Sequence, residues 1–247
     1  MRGWPESSDE GGGSRALRTI RIRKLIIGVG TLRSSKYHLR RLADGVVGLR
    51  RRRPDRAVSL TFDDGPHPGS TDLVLDVLAD LGVKATFFCV GRNVRAHPEL
   101  VRRMAAEGHS VGSHSFTHPY PHEVDRPTLY AEYSTGRRAV EVALERSSPL
   151  FRPPHGDVRS GSAALLRCLR LRTWLWSVDP EDWRPGAQSG QIVADVARVK
   201  GGDVVVLHDW VEQPLGPEAL DRSATIAALP AIIAAIRAKG LHFECLL

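Results

Sequence analysis

Cysteine is scarce: Cys89, Cys168 and Cys245 are the three in 247 residues. An odd count without short spacing builds neither a disulfide framework nor a zinc ribbon, so all three read as small buried apolar residues. Long hydrophobic runs are missing too. The longest near the N-terminus, Leu25–Leu32, falls far short of the ~20 residues a helix needs to span a bilayer. Arg21, Arg23 and Lys24 precede it, as in a signal peptide. However, Glu6, Asp9 and Glu10 lie upstream, and Thr31-Leu32-Arg33-Ser34-Ser35 is a poor cleavage site. A cytoplasmic or membrane-associated location is therefore expected. No interleaving of basic and base-stacking aromatic residues is visible, which argues against nucleic acid as a partner.

Charge is present but uneven. Residues 1–56 carry 15 Lys/Arg against 5 Asp/Glu, and residues 57–247 carry 20 against 23, so the formal +7 is +10 in the first part and −3 in the second. The basic character thus belongs to an N-terminal arm and not to the body. Residues 1–14 are polar and glycine-rich and are expected to be disordered. Leu39, Leu42, Val46 and Leu49 recur at helical spacing beside Arg40, Arg41 and Arg50–Arg53, which predicts an amphipathic basic helix. Such a helix is a packing or solvated arm, or touches an anionic membrane surface. The expected organisation is this arm over 1–56 and one catalytic domain over 57–247.

From residue 57 a rhythm begins. Strands are predicted at 57–62, 85–90, 109–114, 150–152, 173–178, 203–207 and 241–244. Helices are predicted at 71–81, 98–107, 126–145, 162–169, 191–199 and 224–238. Alternation of this kind implies an α/β fold with a parallel sheet covered by helices. A distorted (β/α) barrel of about seven parallel strands is the expected architecture, with an open doubly wound sheet as the alternative.

The chemically unusual residues all follow strands. Asp63-Asp64 follow the first strand, His114 and His118 the third, and Arg152 ends the fourth. Asp179 and Asp182 follow the fifth, and His208 the sixth. In a parallel barrel those ends share one face, where active sites sit. Adjacent carboxylates at a strand end can take different tasks, because side chains alternate along extended backbone. Two histidines four residues apart reach one ion if the turn between them is helical. The pair is not H-E-x-x-H, because no Glu follows His114. One Asp and two His form an oxygen–nitrogen set suited to a zinc-like divalent cation. His67, His97, His109, His122 and His242 lack such partners and read as surface or structural.

Taken in order, Thr61–Pro66, His114–His118, Arg152-Pro153-Pro154-His155-Gly156, Asp179–Trp183 and Leu207-His208 resemble the five motifs of the NodB-like polysaccharide deacetylases, carbohydrate esterase family 4. The resemblance covers residues 57–247. It implies a hydrolase that removes acetyl groups from an N-acetylated glycan. It also implies one divalent cation, zinc first, with cobalt, manganese and nickel as alternatives, held by Asp64, His114 and His118. Asp63 would be the general base, oriented and kept ionised by Arg152. His208 would be the general acid, paired with Asp182. Trp183 and Leu207 would wall the acetyl pocket, and the backbone N–H of His155 would help hold the oxyanion. The family often has Tyr at the position of His155, a departure that bears on the groove wall more than on a main-chain donor.

The chemistry stands beside the resemblance. Amide hydrolysis needs an activated water, a proton for the leaving nitrogen and stabilisation of the oxyanion. The sequence supplies a candidate for each part. No Ser or Cys with a suitable partner is evident, so an acyl-enzyme is not expected. Removal of O-acetyl groups, a same-fold metal hydrolase acting on a non-carbohydrate amide or an ester, and a non-catalytic glycan-binding relic are the competing readings.

Overall fold

The computed structural model describes residues 48–158 and 162–247. Six strands run β1 Ser59–Asp63, β2 Thr86–Cys89, β3 Ser110–Ser113, β4 Leu150–Phe151, β5 Arg172–Thr173 and β6 Val204–His208. The helices are α1 Thr71–Asp80, α2 Gly91–Ala96, α3 Pro98–Ala106, α4 Arg126–Leu144, α5 Ser162–Cys168, α6 Ser189–Val196 and α7 Ser223–Ala238. All strand pairs are parallel, in the order β5-β4-β3-β2-β1-β6. The sheet curls until its ends meet. A bridge between Val178 and Val205 ties the segment after β5 to β6, with Ser177 N donating to Val204 O at 2.9 Å and Val206 N to Val178 O at 3.0 Å.

Side-chain alternation sorts each strand into two faces. Leu60, Phe62, Phe87, Cys89, Val205 and Leu207 belong to the core that the helices cover with Val74, Leu78, Met104, Ile192 and Ile233. Burying each such side chain stabilises the fold by roughly 1.5–3 kcal/mol. The alternate residues, Thr61, Asp63, Thr86, Val206 and His208, lie on the inner face of the curl. The fold thereby separates an apolar outer layer from an interior that is itself apolar around Phe88, Leu150, Trp174, Val204 and Leu246 and carries Asp63 and His208 at the strands' C-terminal ends.

Six strands form where seven were expected. Phe243 makes only a bridge to Val58, with Val58 N donating to His242 O at 2.9 Å and Glu244 N to Val58 O at 3.1 Å. The cause is that β1 already has β2 on one edge and β6 on the other, so Leu241–Glu244 finds no ladder to extend. The expected strand 173–178 is divided as well. After β5, Trp174 bridges to Arg50, and pairing with β6 begins only at Ser177. Helix α2 was not expected. His97, at φ −133° and ψ 57°, separates it from α3, as the residue before Pro98 avoids helical geometry.

Val47–Leu247 form one compact unit. The expected helix over Leu39, Leu42 and Val46, with the glycine-rich stretch before it, lies outside the described residues. Leu49 is buried with Leu129, Tyr133 and Phe151. Arg50 and Arg52 bridge to Trp174 and Asp203. Arg53 donates from its backbone to Gly202 O at 2.8 Å and from its guanidinium to Cys245 O at 2.7 Å. The arginine run is therefore fastened to the body from residue 50 onward. Among the described residues no helix is long and apolar enough to cross a membrane.

Candidate metal and catalytic site

The strand ends converge as the parallel topology requires. Asp64 Oδ1 lies 3.2 Å from His118 Nε2 and 3.4 Å from His114 Nε2, and the two ring nitrogens are 3.2 Å apart. All three residues are buried. Asp64 Oδ1 has no hydrogen-bond partner. Three buried ligand atoms, one carboxylate oxygen and two imidazole nitrogens, converging on one point fit a cation. Ligand bonds of about 2.0–2.1 Å at tetrahedral angles would set donors about 3.4 Å apart. His114 Nδ1 lies 2.7 Å from the Arg152 carbonyl. A carbonyl only accepts, so Nδ1 carries the proton and Nε2 presents its lone pair to the cluster. Burial, then His118 beside it, holds His114 well below the ordinary imidazole range. For Asp64, burial opposes the charge, but His118 and His114 outweigh it and keep the carboxyl below its usual value.

The backbone around these donors is unusual. Among the described residues seven non-glycine positions have positive φ, and Asp64, Ser115, His118 and His155 are four of them. Such conformations cost energy and persist only where surroundings over-determine them. At the histidine turn those surroundings come from α4. Glu132 Oε2 accepts from Phe116 N at 3.0 Å and Thr117 N at 2.8 Å, while Oε1 accepts from Thr117 Oγ1 at 2.9 Å. One helical turn further, Gly136 lets the helix lie directly on the turn. A Cβ there would stand 2.3 Å from Ser115 O.

Asp63, the last residue of β1, points to the inner face beside the cluster. Arg152 Nη1 donates to Asp63 Oδ1 at 2.6 Å and to Thr61 Oγ1 at 2.8 Å. Arg152 is wholly buried, with its guanidinium over the Phe88 ring at 4.2 Å and Nε donating to Trp174 O at 3.2 Å. Burial pushes Asp63 up to about 6, against the downward pull of Arg152 and His208. A carboxylate poised there can accept a proton near neutral pH.

His208 ends β6 in register with Asp63. Its Nδ1 lies 2.8 Å from Asp182 Oδ1, and its backbone N donates to Asp182 Oδ2 at 2.9 Å. Asp182 is fully buried and also accepts from Thr225 Oγ1 at 2.9 Å, while Arg222 donates to the Asp182 carbonyl at 2.9 Å. Burial works against an imidazolium here, but Asp182, Asp64 and Asp63 overcome it and raise His208 to about 9. The group can therefore carry a proton at neutral pH with Nε2–H free to donate.

The polysaccharide deacetylase family profile matches residues 50–174. A chitooligosaccharide deacetylase of a Bradyrhizobium species is 40% identical over 195 residues, spanning 76% of this chain and 88% of that protein. This chain belongs to the polysaccharide deacetylase family. A Bacillus cereus peptidoglycan-N-acetylglucosamine deacetylase is 35% identical over 193 residues, spanning 76% of this deacetylase and 85% of the relative. Among solved structures, a family 4 carbohydrate esterase from Streptomyces lividans, in complex with acetate, superimposes with a TM-score of 0.68 at 34% identity. That match covers 76% of this chain and 91% of the other.

The remaining expected site residues of the deacetylase are placed as follows. His155 sits at φ 56° in a short 3-10 turn, Pro154–Gly156. Its ring lies between His118, at 4.5 Å, and Tyr120, on which it stacks at 3.8 Å. Burial, then His118, lowers it to about 4, so it is neutral. Trp183 is partly exposed, with the Arg184 guanidinium over its ring at 5.1 Å. Leu207 is not brought to the site. It lies in the outer core with Leu60 and Phe62, and Val206, paired with Thr61, is the β6 residue on the face of His208. Strand alternation, counted back from His208, would have identified it.

Other residues gave no signal in the sequence. Asp209 is buried under the Asp64–Pro66 turn, accepting from Gly65 N at 3.2 Å and Thr71 Oγ1 at 2.5 Å. Burial pushes it up to about 7. His122 pairs with Asp157 at 2.9 Å, and His67 stacks on Trp210 at 3.6 Å. Those two histidines do have partners, whereas His109 is structural, accepting from Ala85 N at 3.0 Å.

Proposed function

We propose that this deacetylase hydrolyses the N-acetyl group of an N-acetylglucosamine glycan of the chitooligosaccharide or peptidoglycan type, with a divalent cation at Asp64, His114 and His118. The observation that carries the reading is the meeting of three buried, mutually facing ligand groups with the Asp63–Arg152 and Asp182–His208 pairs at the ends of the neighbouring strands β1 and β6. A cation bound there supplies Lewis acidity, acidifying water and polarising the acetyl carbonyl. The oxygen-and-imidazole donor set suits zinc.

The chain's own groups perform the proton transfers. Asp63 accepts a proton as the water oxygen bonds to the acetyl carbon, and the carbonyl electrons move onto oxygen. Arg152 keeps Asp63 in the anionic form needed for that step and fixes its direction. The His155 N–H helps hold the oxyanion. Collapse then breaks the carbon–nitrogen bond as His208 Nε2–H passes its proton to the leaving amine, giving acetate and a free amino sugar. Asp182 fixes the His208 ring so that Nε2 is the donor. Val206 and Trp183 supply apolar surface for the acetyl methyl. The test is acetate release from N-acetylglucosamine oligomers and simple acetamides, with and without a chelator. Release from the oligomers that a chelator abolishes is expected. Acetamide hydrolysis without oligomer hydrolysis would overturn the glycan assignment, and chelator-insensitive release would overturn the cation.

A further inference from the structure

The loop that follows His208 reaches back to two of the three donors. Glu212 N donates to Asp64 Oδ2 at 3.0 Å. Gln213 Nε2 donates to His118 O at 2.9 Å. Neither residue falls in the motifs that the sequence brought forward. The loop is held against α2 by one side chain. Glu212 is nearly buried, its side chain 3% exposed, and its two carboxylate oxygens meet Arg92 Nη2 and Asn93 Nδ2. A carboxylate is costly to bury unless it is paired and hydrogen-bonded. Displacing this loop would break both contacts, so its backbone is pinned. Asn93 also donates to the Asp64 carbonyl at 2.9 Å. The backbone of Asp64 and the carboxylate of Glu212 are thus fixed to the same amide.

The consequence falls on Asp64. Its Oδ2 is engaged by the Glu212 N–H, while its Oδ1 has no hydrogen-bond partner and faces His114 and His118. A carboxylate free to rotate about its last bond would present either oxygen, or both, to solvent or to the histidines. Engaging one oxygen selects the other. We propose that Glu212 is a positioning residue for the cation: anchored by Arg92 and Asn93, it sets its own N–H against Asp64 Oδ2 and so aims Oδ1 at the site. This rests on the assignment of Asp64, His114 and His118 as cation ligands. It also places the cation's support on the segment directly after the proposed acid.

The test is Co²⁺ and Zn²⁺ binding to the full chain, read by competition with a chromophoric chelator and by the Co²⁺ absorption spectrum. Glu212→Ala is expected to raise the Kd on the order of 10–100-fold, the usual effect of removing a ligand's supporting hydrogen bond, and to change the Co²⁺ spectrum. Glu99→Gln, an exposed carboxylate on α3, controls for loss of charge and should leave both readouts unchanged. Metal-free melting temperatures, measured alongside, keep every titration well below unfolding. Asn93→Ala carries the test where Glu212→Ala does not fold, with a Kd shift in the same direction expected. A folded Glu212→Ala protein with unaltered Kd and spectrum overturns the proposal, as does an equal loss in Glu99→Gln. A parent protein that binds neither ion overturns the cation assignment itself, and the two failures are thereby distinct.

Discussion

Replacing Asp182 by Asn separates what that residue does to His208 from its role as filler of the core. Three donors converge on its two oxygens: His208 Nδ1–H, His208 N–H and the Thr225 hydroxyl. An amide offers one oxygen and one NH₂, so at least one of these donors loses its acceptor. The charge is lost as well. The rise of His208 from 6.5 to about 9 corresponds to about 3 kcal/mol of preference for the imidazolium. After burial, which acts the other way, Asp182 is its largest cause. Without it, burial dominates and His208 falls to its ordinary value or below. At pH 8 an acid of pKa 9 is about nine-tenths protonated and one of 6.5 about one-thirtieth, so kcat/KM should fall by about 30-fold there. It should recover toward the parent as pH approaches 6. A bound cation moves both proteins' values downward, so the readout is the displacement of the basic limb between them, about two and a half pH units. The same linkage governs stability. Folding raises His208 above its unfolded value, so the pair's contribution is complete below about pH 6.5 and is lost as pH rises through about 9. Asp182→Asn should narrow the difference in melting temperature between pH 6 and pH 9. Superimposable pH profiles of kcat/KM for parent and variant would refute the assignment of His208 as an acid tuned by Asp182.

Asp63→Asn should retain the cation by elemental analysis while turnover drops by a factor on the order of 10²–10⁴. Asp64→Asn should instead lose cation affinity and regain part of its activity in excess metal, and the opposite pattern would exchange the two roles. Gly136→Ala forces a Cβ to within 2.3 Å of Ser115 O. It should lower stability by about 1–3 kcal/mol in denaturant melts and weaken cation binding through the His118 turn; an unchanged Kd would show that the turn does not depend on α4. Removal of residues 1–46 should leave turnover on a soluble oligomer nearly intact, because every proposed catalytic group lies beyond them. Extending the deletion through residue 56 removes the Arg53 contacts to Gly202, Cys245 and Glu244 and should lower the melting temperature measurably.

What the sequence determined is the periodic part of the molecule and the identity of its reactive groups. Strand and helix alternation from residue 57 was legible because apolar spacing is a local property. The parallel sheet followed from it, and with the sheet came the gathering of Asp63, Asp64, His114, His118, Arg152 and His208 on one face. The rest depends on contacts between distant segments. Whether Leu241–Glu244 pairs as a strand turns on whether β1 has a free edge, and β2 with β6 leaves it none. Nothing local to those residues records that. The resemblance implies Leu207 as a wall of the acetyl pocket, yet it lies in the outer core. On a strand it is every second residue that shares a face, and Val206 holds that place. Arg50 and Arg53, solvated in any local reading, are fastened to residues more than a hundred positions away. The supports of the site are of the same kind. Gly136, Glu132 and Asp209 each meet a backbone turn that another element supplies, and Glu212 sets its own N–H against the Asp64 carboxylate. A reactive group can be recognised by its own chemistry, whereas a supporting group is defined by what it touches, and only the tertiary structure decides that.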